Sequence, residues 1–360
     1  MRSAAVIGTG LIGASIGIGL RAAGWEVWGW DQNPKHLAQA AAIGAISRPA
    51  SSLQEAVTES EFVVLAASPR GIVSILSDLR TEALVTDVAG VKQPIVEAAA
   101  GVPRFVGSHP MAGREVSGPL GASGSLFRGA TWVLTTDHAS AEDLNMLSDI
   151  VRSLDAHPVT MTAANHDYAV ALVSHLPRFV AATLVDQLRL TGPTAEAMVA
   201  GGFRDLTRIA LSGAEWWPEL LVANRQALTT VLSNMVVGLD ECAKYLEHFE
   251  VERVTDLLDS ARETRMGLAP PGDSVGVLLD DEPGEIARVG MALSKSGVDI
   301  RDLQLRHATH GGGGVLTLAV RPEEAPRLRQ ALIMAGFALL EIESRTPELL
   351  DLESLDEPRG

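Results

Sequence analysis

The chain has a single cysteine, Cys242, in 360 residues. That count excludes an internal disulfide framework and a cysteine-built metal cage. The apolar helical run around Cys242 predicts a buried, inert thiol. Basic residues are also scarce: 29 Lys and Arg against 45 Asp and Glu leave a net charge of -16. Sequence-independent nucleic-acid binding needs basic patches, so no nucleic-acid partner is expected. A small anionic substrate would need its own local arginines. Long hydrophobic runs are missing as well. No charge-free apolar stretch reaches the roughly 18 residues of a membrane span, so no membrane partner is expected. Ala4–Ile7 is broken by glycine too soon to be a secretory leader. These absences point to a cytoplasmic protein. No His, Asp or Glu spacing suggests a metal site.

What is present is ordinary globular sequence, with 46% hydrophobic and 21% charged residues, long enough for two or three domains. Residues 1–164 alternate strand-like runs (6–7, 26–30, 62–66, 84–87, 105–107) with helical patterns (12–23, 34–43). Such alternation predicts an α/β class with a Rossmann-type doubly wound parallel sheet. Trp132–Thr135 adds a strand and 141–154 a helix. Residues 165–268 switch to long apolar-periodic segments (165–190, 194–212, 219–247, 250–266), which predicts an all-helical domain. Pro177 should kink its first helix. Helices this apolar need more partners than one layer supplies, which suggests a homodimer. Ala269–Gly272 reads as a linker. Residues 273–345 read strand, helix, two strands about a glycine-rich turn at 310–314, helix, strand: a small βαββαβ sheet with helices on one face. The acidic tail, 346–360, shows no clear period.

Gly8-Thr9-Gly10-Leu11-Ile12-Gly13 stands between a strand and a helix, the context that a dinucleotide fingerprint requires. Gly8 permits the tight turn, Gly10 the close approach of a pyrophosphate and Gly13 tight helix–strand packing. The anion then sits at a helix N-terminus beside Leu11 and Ile12. Asp31, 18 residues after Gly13 at the end of the second strand, suits the ribose hydroxyls. Gln32 and Asn33 are uncharged and Lys35 is the nearby cation, which favours NAD over NADP. Ser68, past the third strand-like run, completes the cofactor set. His109, in Ser108-His109-Pro110-Met111-Ala112-Gly113, follows the strand 105–107, where open α/β sheets place their ligands. Hydride removal from a carbinol needs a group to take the hydroxyl proton, and histidine suits that near neutral pH. Taken alone, His109 is equally readable as a loop-ordering residue.

The fingerprint followed by Ser-His-Pro-Met-Ala-Gly-Arg-Glu-x-Ser-Gly resembles the prephenate/arogenate dehydrogenase family of tyrosine biosynthesis. Thr86–Lys92, Ser174–Pro177, Gly202–Ala210 and Trp217 with Asn224 match in the same order, and the resemblance covers residues 4 to about 266. It implies oxidative decarboxylation of prephenate, or alternatively arogenate, with a helical domain that makes the dimer. It also implies that His109 hydrogen-bonds the ring hydroxyl and that Arg208 binds a substrate carboxylate. Arg204, four residues earlier, lies on the same helical face. Ser108, Glu115, His175 and Trp217 would line the pocket, Trp217 from its own chain or across the dimer. Two departures stand out. Many relatives carry serine at the position of Gly90, where it orients the catalytic histidine, so that role passes here to water, backbone or another side chain. Many also carry a second histidine where Arg178 stands. Asp281–Ala287 and Gly297–Ile300 are similar to ACT domains, which implies an aromatic amino-acid effector. The competing readings are another NAD-linked hydroxy-acid dehydrogenase, whose lysine base only Lys244 could supply, and a catalytically dead amino-acid sensor.

Overall fold

The structure is a computed structural model that describes residues 2–113, 116–211, 216–268, 273–280, 282–307 and 313–340. The chain forms two compact units, Met1–Glu241 and Cys242–Gly360.

The first unit is built on a six-stranded sheet of β1 (Ser3–Ile7), β2 (Glu26–Trp30), β3 (Arg48–Pro49), β4 (Phe62–Leu65), β5 (Leu84–Asp87) and β6 (Phe105–Val106). Every pairing is parallel, in the order β3-β2-β1-β4-β5-β6. Helices α1 (Leu11–Ala22), α2 (Pro34–Ala42), α3 (Leu53–Thr58), α4 (Pro69–Asp78) and α5 (Gln93–Ala98) connect the strands. The strand order reverses between β1 and β4, and ligands of such sheets bind at that switch, beyond the strands' carboxyl ends. Successive residues feed two separate cores. Ala5, Ile7, Val63, Leu65 and Val85 pack on one face, while Ala4, Val6, Phe62, Val64 and Leu84 pack on the other. Burial on both faces explains why these strands read as continuous apolar runs.

One expected strand of the main sheet lies elsewhere. Trp132 falls in β8 (Thr131–Thr135), which pairs antiparallel with β7 (Ser108–Pro110) and parallel with β9 (His157–Met161) in a second sheet. The run 105–110 crosses from one sheet to the other at Gly107. A Cβ there would stand 2.8 Å from Thr135 Oγ1 and 3.2 Å from Val96 Cγ2. Helix α6 (Ala141–Ser153) lies between β8 and β9 in sequence.

The helical region follows: α7 (Ala163–Val170), α8 (Leu176–Thr191), α9 (Pro193–Glu196), α10 (Gly201–Thr207), α11 (Trp217–Ala223), α12 (Arg225–Glu247) and α13 (Val251–Leu268). The expected kink at Pro177 takes the form of a π turn, Ala171–His175, joining α7 to α8. Leu176 N–H donates to the Ala171 carbonyl five residues back, a widened turn just ahead of the proline, which has no N–H of its own. The single helix expected over 194–212 is instead broken before the Gly201–Gly202 pair, where Ala200 is extended. The run 163–191 is long and apolar enough to cross a membrane, with a mean hydropathy of 1.5, a feature the charge-free criterion passes over. Here it is a wall of the first unit. Ala163, Leu220, Trp217 and Ala223 join the sheet's own core, and Asp167 bonds backbone amides at the start of α5. Cys242 is partly exposed rather than buried, because Leu228 and Val231 are the residues of α12 that are covered.

In the second unit β10 (Asp273–Leu279), α14 (Glu285–Ser296), β11 (Asp302–His307), β12 (Gly314–Val320), α15 (Ala325–Met334) and β13 (Leu339–Leu340) follow the expected βαββαβ order. The sheet runs β11-β12-β10-β13 with antiparallel pairings. Val275, Val277, Leu279, Leu316, Leu318 and Val320 alternate onto one face and share a core with Val289, Ala292, Leu328 and Leu332 of the two helices. Most of the turn at 310–314, the linker 269–272 and the tail lie outside the described residues.

Candidate active site

The glycine turn has the shape a dinucleotide requires. Gly8 adopts φ +94°, and a Cβ there would stand 2.3 Å from the Ala66 carbonyl oxygen. At Gly13 a Cβ would lie 1.9 Å from Gly8 O. Around Gly10 nothing lies within 4 Å of a built Cβ, so the backbone is open to an incoming group at that point. Gly10 is the N-cap of α1, which leaves the amides of Leu11, Ile12 and Gly13 unused inside the helix and aimed at the opening. Asp31 closes the turn: its Oδ2 accepts from Thr9 N at 2.6 Å and from Thr9 Oγ1 at 3.0 Å. Asn33 caps α2, while the Asp31 Oδ1 accepts from Asn33 N at 2.7 Å and His36 of α2 lies 3.9 Å from its Oδ2. Ser68 caps α4 through a bond from Gly71 N and is exposed.

His109 sits in β7, just past the carboxyl end of β6, and a buried scaffold fixes its backbone. Lys92 is fully buried. Its ammonium pairs with Asp87 and donates to the Ser108 carbonyl at 2.6 Å. Burial pushes the Asp87 carboxyl up and the Lys92 ammonium down, and the attraction between the two opposes both shifts. Ser108, expected at the substrate, is turned inward. Its hydroxyl donates to the Asp87 carbonyl at 2.7 Å and accepts from Trp132 Nε1 at 3.0 Å. With no exposed surface, it supports the strand rather than a ligand.

The His109 ring meets a partner that the sequence reading missed. Its Nδ1 lies 2.9 Å from His166 Nε2, with the rings edge to face at 5.1 Å. His166 Nδ1 in turn lies 2.8 Å from Asp167 Oδ1. The Asp167 carboxylate also accepts from Lys92 N at 2.7 Å and Gln93 N at 2.8 Å. The available signal was a His-Asp pair inside an otherwise apolar helix, where an unpartnered polar group is costly. Burial above all holds the His109 imidazole well below its ordinary pKa, so it is neutral at neutral pH.

His175, on the π turn, is buried and differently held. Asn224 Nδ2 lies 2.9 Å from the Asp167 carbonyl and 3.1 Å from His175 Nδ1. That nitrogen of Asn224 is the donor in both bonds, so His175 Nδ1 accepts and its Nε2 carries the proton. Nε2 has no described partner. Burial lowers the His175 pKa to about 4. Trp217 and this ring meet edge to face at 6.1 Å within the one chain. Arg178 lies over the Trp217 ring at 4.0 Å and donates to the Ile209 carbonyl at 2.8 Å. It thereby ties α8 to the 3-10 turn Arg208–Leu211. Arg204 and Arg208 are exposed on α10 and this turn. Glu115 lies outside the described residues.

This sheet order, an open glycine turn with an acidic strand end, and a neutral histidine beyond the next crossing define a dinucleotide-binding protein of the dehydrogenase class. Residues 16–160 match the family model for the prephenate dehydrogenase nucleotide-binding domain, and residues 162–260 match the one for the prephenate dehydrogenase dimerization domain. The prephenate dehydrogenase of Bacillus subtilis is 29% identical over 353 residues, covering 91% of this chain and 94% of its own. That of Lactococcus lactis subsp. cremoris is 32% identical over 313 residues, covering 80% and 85%. The crystal structure of prephenate dehydrogenase from A. aeolicus, in complex with hydroxyphenyl propionate and NAD+, aligns with a TM-score of 0.69 at 27% identity, covering 75% of this chain and 99% of that one. The chain belongs to the prephenate dehydrogenase family.

Proposed function

We propose that the chain is a prephenate dehydrogenase, carrying out the NAD-dependent oxidative decarboxylation of prephenate to 4-hydroxyphenylpyruvate. The observation that carries this reading is the His109 ring, held at Nδ1 by His166 just past the carboxyl end of β6, in the chain whose β1 leads into the cofactor turn. NAD fits the open amides of Leu11, Ile12 and Gly13 and the Asp31 carboxylate, and when bound it supplies the hydride acceptor. The residues do the rest. His109 Nε2 hydrogen-bonds the ring hydroxyl and draws its proton as the carbinol hydrogen departs with its electron pair. The bond to the ring carboxylate breaks, its electrons enter the ring, and carbon dioxide leaves. The proton held at His109 returns to the phenolate oxygen. Aromatisation drives the sequence, so the protein supplies orientation, proton handling and carboxylate binding. His175 Nε2–H and Arg208 are the groups offered to the substrate's anionic ends, with Arg204, Glu115 and Trp217 around them. A fixed arginine suits a dianion in this acidic chain.

In this reading residues 1–164 hold the cofactor in a cytoplasmic enzyme, and residues 165–268 complete the cleft and form a homodimer. Val236, Val237 and Leu239 of α12 are more than half exposed, which supports a partner surface. The βαββαβ unit, residues 273–345, is read as an ACT-like module for an aromatic amino-acid effector. Its sheet order supports that assignment. Steady-state assays with prephenate and arogenate, each with NAD and NADP, test the substrate: turnover should be fastest with prephenate and NAD, and preference for arogenate would overturn the assignment. Truncation at Pro271 should abolish tyrosine inhibition. Retained inhibition would refute the regulatory role.

A further inference from the structure

We propose that His166, held by Asp167, is the positioning residue that sets the tautomer and aim of His109; the proposal rests on His109 being the proton acceptor. Position 90 flanks the ring but contributes nothing to it. A Cβ on Gly90 would stand 3.7 Å from His109 Cε1 and 3.2 Å from Leu220 Cδ1, and glycine carries no hydrogen-bonding side chain. The bond to His109 Nδ1 comes from His166 Nε2 at 2.9 Å.

The proton order along this chain follows from its far end. Asp167 accepts two backbone amides, and a carboxylate can only accept. His166 Nδ1 must therefore be the donor to Asp167. A His166 ring that carries its single proton on Nδ1 has its lone pair on Nε2, and His109 then donates to it from Nδ1. The His109 lone pair then lies on Nε2, the nitrogen the reaction needs free. His166 is 1% exposed and Asp167 4%, so little water competes for these bonds. When His109 takes the hydroxyl proton, its Nδ1–H···Nε2 bond strengthens and the new cation is stabilised through His166 by Asp167. A histidine's second nitrogen commonly fixes the chemistry of its first in this way.

The test uses His166→Asn, His166→Gln and His166→Asn combined with Gly90→Ser. Asparagine keeps a polar group near Asp167 but is too short to reach His109, whereas glutamine extends to the position of Nε2. His166→Asn should lower kcat about 100-fold, with KM within about twofold, as expected for lost support of a proton acceptor. His166→Gln should recover about tenfold of that loss, and Gly90→Ser in the His166→Asn background a similar share. Imidazole 15N spectra of the free protein should show His109 protonated at Nδ1 in the wild type and as a tautomer mixture in His166→Asn. A folded His166→Asn variant with wild-type kcat and an unchanged His109 tautomer would overturn the proposal. If His109→Asn keeps wild-type turnover, the assignment of His109 as proton acceptor fails instead, and the spectra alone then judge the positioning role. Should His166→Asn not fold, an unprotonated His109 Nδ1 in the wild type or in His166→Gln overturns it.

Discussion

His109 and His175 belong to one hydrogen-bonded run, yet they are held in opposite ways. His109 Nδ1 meets an acceptor, His166 Nε2, backed by a carboxylate. His175 Nδ1 meets a donor, Asn224 Nδ2. The first arrangement leaves a lone pair on Nε2 and makes a base. The second leaves a proton on Nε2 and makes a donor. Both rings are neutral at pH 7 because burial disfavours the cation. Identical side chains thus acquire different chemistry from one neighbour each, and a single carboxylate-bearing residue, Asp167, sits behind both: its side chain supports His166 and its carbonyl fixes Asn224.

Several changes would break or sharpen this contrast. His109→Asn should cut kcat about 1,000-fold in steady-state assays, since it removes the proton acceptor itself. Lys92→Met strikes the scaffold rather than the ring. Leaving Asp87 buried and unpaired should cost about 3–5 kcal/mol in denaturant unfolding. His175→Asn should lower kcat/KM about 10- to 100-fold, the range for a hydrogen bond to a charged group. Its effect should fall mainly on KM, in contrast to that of His109→Asn. Asn224→Leu should reproduce part of that loss by freeing the His175 tautomer. The smallest effect is on pH dependence. The unfolded chain's histidines titrate near 6.5, whereas folded His175 titrates at about 4. Between these values the unfolded chain binds more protons, so stability falls as pH drops from about 6.5 to about 4. Thermal melts should show this decline, and His175→Asn should flatten it.

The sequence was most readable where spacing alone constrains geometry. Gly8, Gly13 and Asp31 lie within one strand-turn-helix-strand unit, so their roles follow from local chain direction. His109 was readable as a strand-end residue, and the βαββαβ order followed from period and turns. The contacts that decide chemistry were not readable, because they join distant segments. His166 is 57 positions from His109, and no local pattern shows that the two rings touch. Ser108 illustrates the opposite error. Its place beside His109 suggested the cleft, but strand alternation sends neighbouring side chains to opposite faces, and its hydroxyl went inward to Asp87 and Trp132. Gly107 stands where the chain passes between the two sheets, at a close approach to Thr135 and Val96 that only folding reveals.

The most direct test is a long-range 1H–15N spectrum of the wild-type imidazoles at pH 7.5. It should show His109 protonated at Nδ1 and bare at Nε2, and His175 bare at Nδ1 and protonated at Nε2. The same tautomer in both rings would contradict the account.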